Sequence, residues 1–361
     1  MKVLVTGGAG FIGSNLIGYL LREAPELELT NLDKLTYAGN LENLAGVARP
    51  STRRGGLGTS RGSGRRYRFT RGDVADRRAV ERVFARGVDA VIHLAAETHV
   101  DRSLEDAAPF LRTNVVGTHE LLEAAKRHGT GRFVHISTDE VYGSAEAGAS
   151  FGESAPLRPS SPYAASKAAA DLLVQSYARS HGLAAVILRC TNNYGPYQFP
   201  EKLIPLAIAN ALEDRPVPVY GDGMQARDWL YVEDHCRAIL LALRRGRPGE
   251  TYNISSGHSR PNLEVIRAVL RLLGKPETLL RFVEDRPGHD RRYALDSSKC
   301  REELGWAPQK EFEEGLARTV AWNRANAAWL EHCRSGAYRS YYRRHYTNRA
   351  KTLARWRQNR G

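Results

Sequence analysis

Cysteine is scarce in this sequence. Only four occur among 361 residues, at Cys190, Cys236, Cys300 and Cys333, and no two have C-x-x-C spacing. That argues against a cysteine metal knuckle or a vicinal redox pair. Isolated thiols suit a reducing compartment, so a cytoplasmic protein is expected. Long apolar runs are missing too. No stretch of eighteen apolar residues occurs, which argues against a membrane-spanning helix. The opening Met1-Lys2-Val3-Leu4-Val5-Thr6 runs straight into glycines and reads as a first strand, not a signal peptide. Acidic residues are absent between Arg49 and Arg71, where eight arginines fall.

What is present is the composition of a soluble globular chain, 42% apolar and 26% charged. The net charge of +13 is unevenly placed. The arginine stretch carries +8, and Glu331 to Gly361 carries another +8, leaving the remaining 307 residues at −3. A general basic face, as a nucleic-acid binder needs, is not indicated. The two basic stretches read as a solvated loop and tail, with weak attraction to polyanions or an anionic substrate as the alternative. Residues 50–64 are low-complexity Gly/Ser/Arg and are expected to form a surface loop.

Short apolar runs alternate with helical patterns through the first half. The expected strands are Lys2–Thr6, Leu27–Leu32, Arg66–Thr70, Ala90–Ala95, Arg132–Ser137 and Ala184–Cys190. Helices are expected at Phe11–Glu23, Asp76–Phe84, Pro109–His128 and Tyr163–His181. Strands dense in Val, Ile and Leu suit burial on both faces. The alternation predicts an α/β fold with a doubly wound parallel sheet of the Rossmann kind. After about residue 190 the rhythm changes. Helices at Glu233–Leu243, Leu263–Leu273 and Phe312–Leu330 are separated by irregular Pro/Gly-containing stretches. The expected division is a dinucleotide-binding domain over 1–190, a smaller mixed lobe over 191–349 and a basic tail over 350–361. Some of the second lobe is expected to return to the first.

Gly7-Gly8-Ala9-Gly10-Phe11-Ile12-Gly13 follows the first strand and opens a helix. Gly7, Gly10 and Gly13 give G-x-x-G-x-x-G spacing, which admits a pyrophosphate at a helix N-terminus without Cβ clashes. Asp33 follows twenty residues later, at the end of the second strand, placed to accept from ribose hydroxyls. A carboxylate there repels an extra phosphate, so NAD is favoured over NADP. Asp73-Val74, after the third strand, would meet an adenine edge. Leu94-Ala95-Ala96-Glu97-Thr98, after the fourth, supplies small residues beside a dinucleotide.

Tyr163 and Lys167 stand at i and i+4, on one helix face. A nearby ammonium and a positive nicotinamide would lower a phenol from its usual value near 10, making a base for an alcohol. The fifth strand ends in Ser137-Thr138-Asp139-Glu140-Val141-Tyr142-Gly143. Strand C-termini are where open α/β sheets bind ligands. Adjacent carboxyls there push one pKa upward, giving one acid and one base. A solvated acidic loop or helix cap is the plainer alternative. His93, His99 and His235 share no ligand spacing with other metal-type residues, so no metal is expected.

With these residues in hand, the chain resembles the extended short-chain dehydrogenase/reductases and, within them, the dTDP-glucose 4,6-dehydratase family. The resemblance runs from Met1 to about Arg349. It is carried by Asp33-Lys34-Leu35-Thr36-Tyr37-Ala38-Gly39-Asn40, His99-Val100-Asp101-Arg102-Ser103 and the Ser137–Gly143 stretch. It continues through 192–205 (Asn192-Asn193-Tyr194-Gly195-Pro196-Tyr197-Gln198-Phe199-Pro200-Glu201-Lys202-Leu203-Ile204-Pro205), 227–235 and Asp285-Arg286-Pro287-Gly288-His289-Asp290. The resemblance implies that Phe11, Ile12, Asp33, Lys34, Leu35, Thr36, Asp73, Val74, Thr98, Thr113 and Asn193 contact NAD. It implies Thr138 at the sugar, Asp139 as acid, Glu140 as base of a dehydration, and Tyr163 with Lys167 as the redox base. Thr98, Asn192, Lys202, Leu203, Pro218, Tyr220, Arg227, Asn262, Asp285, Arg286 and His289 would hold a dTDP-sugar. A bidentate Arg227 suits a diphosphate. The 50–64 loop and the tail from Ala350 depart from the family pattern.

The implied reaction converts dTDP-glucose to its 4-keto-6-deoxy product and water, with NAD regenerated. A nucleotide-sugar 4-epimerase or decarboxylase, or a dehydratase of another NDP-sugar, would share the fold. An epimerase has no use for Asp139-Glu140. A non-catalytic NAD sensor would have no reason to keep Tyr163, Lys167, Asp139 and Glu140 together. A homodimer is expected, through the helices around Pro109–His128 and Tyr163–His181, with no specific nucleic acid and no membrane as partner.

Overall fold

Val3, Leu4 and Val5 are all buried, and their side chains alternate between two separate apolar cores. A strand buried on both faces needs helices on both sides, and the chain supplies them. A computed structural model describes residues 1–47, 61–62 and 66–335, together with Tyr338, Tyr342, His345, Tyr346 and Thr352. The loop expected over 50–64 and the tail over 350–361 lie outside the described residues, apart from Arg61, Gly62 and Thr352.

The first half runs β1 (Lys2–Thr6), α1 (Phe11–Glu23), β2 (Glu28–Asp33), β3 (Arg61–Gly62), β4 (Tyr67–Arg71), α2 (Arg77–Phe84) and β5 (Ala90–His93). It continues α3 (Val100–Glu105), α4 (Ala108–Phe110), α5 (Gly117–Arg127), β6 (Arg132–Thr138), α6 (Pro162–His181) and β7 (Ala185–Cys190). The second half runs β8 (Asn192–Tyr194), α7 (Leu203–Leu212), β9 (Val217–Tyr220), β10 (Ala226–Tyr231), α8 (Val232–Arg245) and β11 (Thr251–Ile254). It ends with β12 (Ser259–Pro261), α9 (Asn262–Leu273), β13 (Leu280–Val283), α10 (Ser298–Leu304), α11 (Phe312–Ala325) and α12 (Ala327–Cys333).

The main sheet has the order β11-β7-β6-β5-β1-β2-β4-β3. Its first seven strands are parallel, and β3 adds a two-residue antiparallel edge. The order reverses at β1, which pairs with both β2 and β5, so a crevice opens above the C-terminal ends of those strands. Leu16, Ile17 and Leu20 of α1 cover one face with Cys236, Ile239 and Leu243 of α8. Val80, Val83, Leu121, Leu122 and Val174 cover the other. Beyond β7 the chain builds a second core around β8–β10, α7 and α9, yet α8 and β11 belong to the first.

Two helices differ from expectation. The pattern over 109–128 is α4, then a π-helical turn at Leu111–Val116, then α5. π turns occur where a side chain must be re-aimed. Here the turn holds Asn114, whose amide bonds Glu97 N and O at 2.9 and 3.0 Å and Ser166 Oγ at 2.8 Å. The pattern over 312–330 breaks at Asn326 into α11 and α12.

One carboxylate fastens β10 to the main sheet. Asp228 of β10 accepts from Thr191 Oγ1 at 2.9 Å and Ser255 Oγ at 3.0 Å, and from the backbone N–H of Ser256, Gly257 and His258 at 2.8–2.9 Å. Those donors follow β7 and β11. Replacing Asp228 by Ala strands several of them, and a loss of about 3 kcal/mol is expected from buried groups left without partners. Urea unfolding of Asp228→Ala checks this; an unchanged midpoint contradicts it.

Candidate active site

A cavity of about 240 Å³ lies in the crevice. Its wall includes Gly7, Gly10, Phe11, Ile12, Gly13, Asp33, Lys34, Thr36, Asp73, Val74, Leu94, Ala95, Ala96, Thr98, Thr113, Tyr163 and Lys167, as the sequence reading expects. Gly7 has φ +72°, and a Cβ there would stand 2.7 Å from Ala95 N. A Cβ on Gly13 would strike the Gly7 carbonyl. Only glycines let β1 turn this closely into α1. Asp33 is fixed rather than merely nearby. Its two oxygens accept from Ala9 N and Leu35 N, both at 2.8 Å, and each keeps lone-pair capacity for a hydroxyl. Lys34 pairs with Asp73 at 2.8 Å across the rim. This donor set fits a dinucleotide with free ribose hydroxyls.

Two expected cofactor residues sit differently. Leu35 stays out of the lining; with φ 57° it turns the loop so that its N–H reaches Asp33. Asn193 is spent on internal bonds, to His235 Nδ1 at 3.0 Å and to Thr191 O at 2.9 Å. Neither position could be read from composition, because both depend on where loops meet.

The reacting groups stand on two element ends. Ser161 caps α6 by accepting from Ala164 N at 3.1 Å, with Pro162 in the first turn. This sets Tyr163 at the helix mouth and Lys167 one turn deeper. Lys167 Nζ donates to Ile136 O at 2.7 Å. At the end of β6, Thr138 caps a short turn, accepting from Glu140 N at 3.3 Å and donating to Asp139 Oδ1 at 3.1 Å. Asp139 Oδ2 is buried and has no hydrogen-bond partner among the described residues.

Burial dominates the electrostatics. It pushes Asp139 up to about 8, with the charge of Glu140 as the second cause. The mutual repulsion expected from sequence is therefore real but secondary. Burial also raises Glu140, while Arg286, Lys202 and Arg227 pull it back toward ionisation. The pair thus divides into a proton-bearing Asp139 and a cation-supported Glu140. For Tyr163 the expected lowering by Lys167 does not prevail. Burial and Glu140 hold the phenol well above its usual range, against a hydrogen bond from Thr138. Burial brings Lys167 down to about 8, opposed by Asp171.

A second cavity, of about 160 Å³, adjoins the first and reaches Glu140. Asn192, Lys202, Leu203, Pro218, Tyr220, Arg227, Asn262, Arg286 and His289 line it, as expected. Asn192 Oδ1 and Asn262 Oδ1 are buried there without hydrogen-bond partners among the described residues, which suits a polar ligand. Arg227 lies 4.0 Å over the Tyr293 ring and donates to Ala226 O and Asp290 O. Three expected substrate residues differ. Asp285 is outside the lining and supports it, pairing with His289 Nδ1 at 2.6 Å. Thr98 lines the first cavity, and its carbonyl accepts from Lys202 Nζ at 3.0 Å. Thr138 lines neither and donates to Asp139 Oδ1. The sequence reading missed Asn114, Asp101 and Glu201. Asp101 anchors Arg286 Nη1 at 2.9 Å and Tyr220 Oη at 3.0 Å, and a buried acid inside a motif was the available signal.

An acid with a raised folded pKa loses stability as pH climbs from the ordinary carboxylate range to about 8, because only the unfolded chain releases its proton freely. Asp139→Asn removes that loss. Its melting temperature is expected to exceed the parent's by a margin that grows between pH 4 and 8 and then levels. A margin independent of pH contradicts the assignment.

Residues 4–319 match the model of the GDP-mannose 4,6 dehydratase family. A dTDP-glucose 4,6-dehydratase of Streptomyces niveus is 52% identical over 339 residues, covering 93% of this chain and 96% of that one. A solved dTDP-glucose 4,6-dehydratase of Streptomyces venezuelae, with NAD bound, gives a TM-score of 0.85 at 50% identity, over 92% of this chain and 100% of that chain. A UDP-glucose 4-epimerase of Thermus thermophilus in complex with NAD gives 0.80 at 36% identity, over 90% and 100%. The matched span takes in the glycine turn, the Asp139–Glu140 pair and the Tyr163–Lys167 pair, and the chain belongs to the GDP-mannose 4,6 dehydratase family of extended short-chain dehydrogenase/reductases.

Proposed function

We propose that this protein converts dTDP-glucose to dTDP-4-keto-6-deoxyglucose and water. The observation that carries the reading is the adjacent carboxyl pair at the end of β6, with Asp139 buried and Glu140 lining the second cavity together with Arg286, Lys202 and Arg227. Burial favours the protonated acid at Asp139, and the three cations oppose that effect at Glu140. An epimerase, although alike in fold, needs no such pair.

Gly7, Gly13, Asp33 and their neighbours in the first cavity would hold NAD, which would accept a hydride from sugar C4 and give it back at C6. The chain's own residues move the protons. Tyr163 takes the O4 proton in its phenolate form, which the positive nicotinamide ring would favour against the burial that holds the phenol protonated. The 4-ketone acidifies C5, from which Glu140 removes the proton. Asp139 gives its proton to the departing C6 hydroxyl, water leaves, and Glu140 returns its proton to C5 as C6 is reduced; the proton left on Tyr163 balances the one that Asp139 gave up. Arg227 and Arg286 hold the diphosphate side of the substrate. Lys167 and Asp139 each lose a proton near pH 8, so turnover is expected to fall above it.

The test is purified protein with dTDP-glucose and NAD, followed by mass and NMR. Loss of one water without accumulation of reduced cofactor is expected. Interconversion of gluco and galacto forms without loss of water would move the reading to an epimerase. Glu140→Gln is expected to retain C4 oxidation and stop elimination, dropping turnover by a factor on the order of 10² or more. Normal turnover by that variant refutes the role of Glu140.

The reading extends to assembly and setting. Leu111, Val116 and Leu172 are exposed by 53%, 45% and 57% on helical segments that pack side by side. Apolar side chains grouped this way support a helical homodimer. Light scattering is expected to give a dimer, and Leu172→Glu to shift it toward monomer; a monomeric parent contradicts this. Among the described residues no helix is long and apolar enough to cross a membrane. The four cysteines are free thiols, which supports a cytoplasmic setting.

A further inference from the structure

Three stretches that carry the family resemblance contain residues to which the reaction assigns no role. These are Tyr37, Arg102 and Glu201, from distant parts of the chain. They meet between the two cavities. Tyr37 Oη donates to Glu201 Oε1 at 3.0 Å. Arg102 Nε and Nη2 both donate to Glu201 Oε2 at 3.2 Å. The guanidinium stands 3.9 Å over the Tyr37 ring, and Phe199 meets that ring edge-on at 5.6 Å. Glu201 is only 4% exposed and lines both cavities, as do its neighbour Lys202 and Gln198.

The position matters because of what each segment carries. Tyr37 sits in the loop after β2 that brings Lys34, Thr36, Ala38 and Gly39 to the cofactor cavity. The far end of that loop is pinned by Asn40 N to Ala9 O at 3.0 Å. Glu201 sits in the segment that forms the wall shared with the substrate cavity, itself tied to α1 through Asn15 Nδ2 and Pro196 O at 2.9 Å. Parting the Tyr37 loop from the Glu201 segment breaks the Tyr37–Glu201 hydrogen bond and the packing of the Arg102 guanidinium on the Tyr37 ring, and it leaves the buried carboxylate to the two Arg102 bonds from α3 alone, which is disfavoured.

We propose that Tyr37, Arg102 and Glu201 form a clasp that closes the cofactor cavity against the substrate side and retains NAD through the cycle. They are positioning residues. The inference rests on the dehydration reading, in which the cofactor gives back at C6 what it took at C4 and so must not leave between the two events.

The test uses Glu201→Gln and Tyr37→Phe in the full chain loaded with NAD. Bound NAD per chain is measured by mass after timed desalting, and thermal melting of the cofactor-free proteins reports on folding. Either variant is expected to lose NAD about tenfold faster, the scale of one lost charge-assisted hydrogen bond. During turnover the variants are expected to release reduced cofactor, seen by its near-ultraviolet absorbance, and to regain rate when NAD is added. If Glu201→Gln does not fold, Tyr37→Phe, which deletes one hydroxyl, decides. NAD retention equal to the parent's overturns the clasp, as does lost activity with NAD fully retained. A parent that holds NAD but leaves dTDP-glucose unchanged overturns the dehydration instead, while the retention difference still judges the clasp.

Discussion

Taking two adjacent carboxyl groups out of water is costly, and the arrangement around Asp139 and Glu140 answers that cost unequally. At Asp139 burial and the charge of Glu140 outweigh Arg227 and the Thr138 hydrogen bond, so it keeps its proton up to about 8. Glu140 faces Arg286, Lys202 and Arg227, which offset part of its burial. Within one dipeptide the two carboxyls are thereby set apart, with cations opposing burial more fully at Glu140 than at Asp139. The three cations come from the second lobe and its loops, while the dipeptide comes from the end of β6. The chemistry therefore depends on how the two lobes meet.

That meeting is secured at several depths. Asp228 ties β10 to the segments after β7 and β11. Asp101 on α3 holds Arg286 and Tyr220 at the substrate cavity, and Arg102, the next residue, reaches Glu201. A short helix thus serves both cavities with neighbouring side chains. Asn114, set by the π turn, joins the strand end at Glu97 to Ser166 on α6, and Ser166 Oγ in turn donates to Tyr163 O at 2.7 Å. Backbone irregularity appears where side chains must be aimed, and regular elements carry the cores.

Local pattern explains what the sequence discloses and what it hides. The glycine turn, Asp33, and the Tyr163–Lys167 pair are legible because each acts through spacing along one strand–turn–helix unit. The parallel sheet is legible because strands buried on both faces read as continuous apolar runs. Leu35, Asn193 and Asp285 stand outside the two cavity linings, because their positions depend on packing between remote loops. Asn114 and Glu201 pass unnoticed since nothing near them in the chain signals their partners. The phenol of Tyr163 shows the other limit: proximity of Lys167 is readable from spacing, but the depth of burial that opposes it is not.

The unequal protonation of the carboxyl pair is the centre of this account, and infrared difference spectroscopy reads it directly. Parent protein is compared with Asp139→Asn at pH 7. The account predicts a neutral carboxylic-acid carbonyl band present in the parent, absent in the variant, and fading in the parent as pH rises past about 8. An ionised carboxylate band assigned to Asp139 at pH 7 would contradict it.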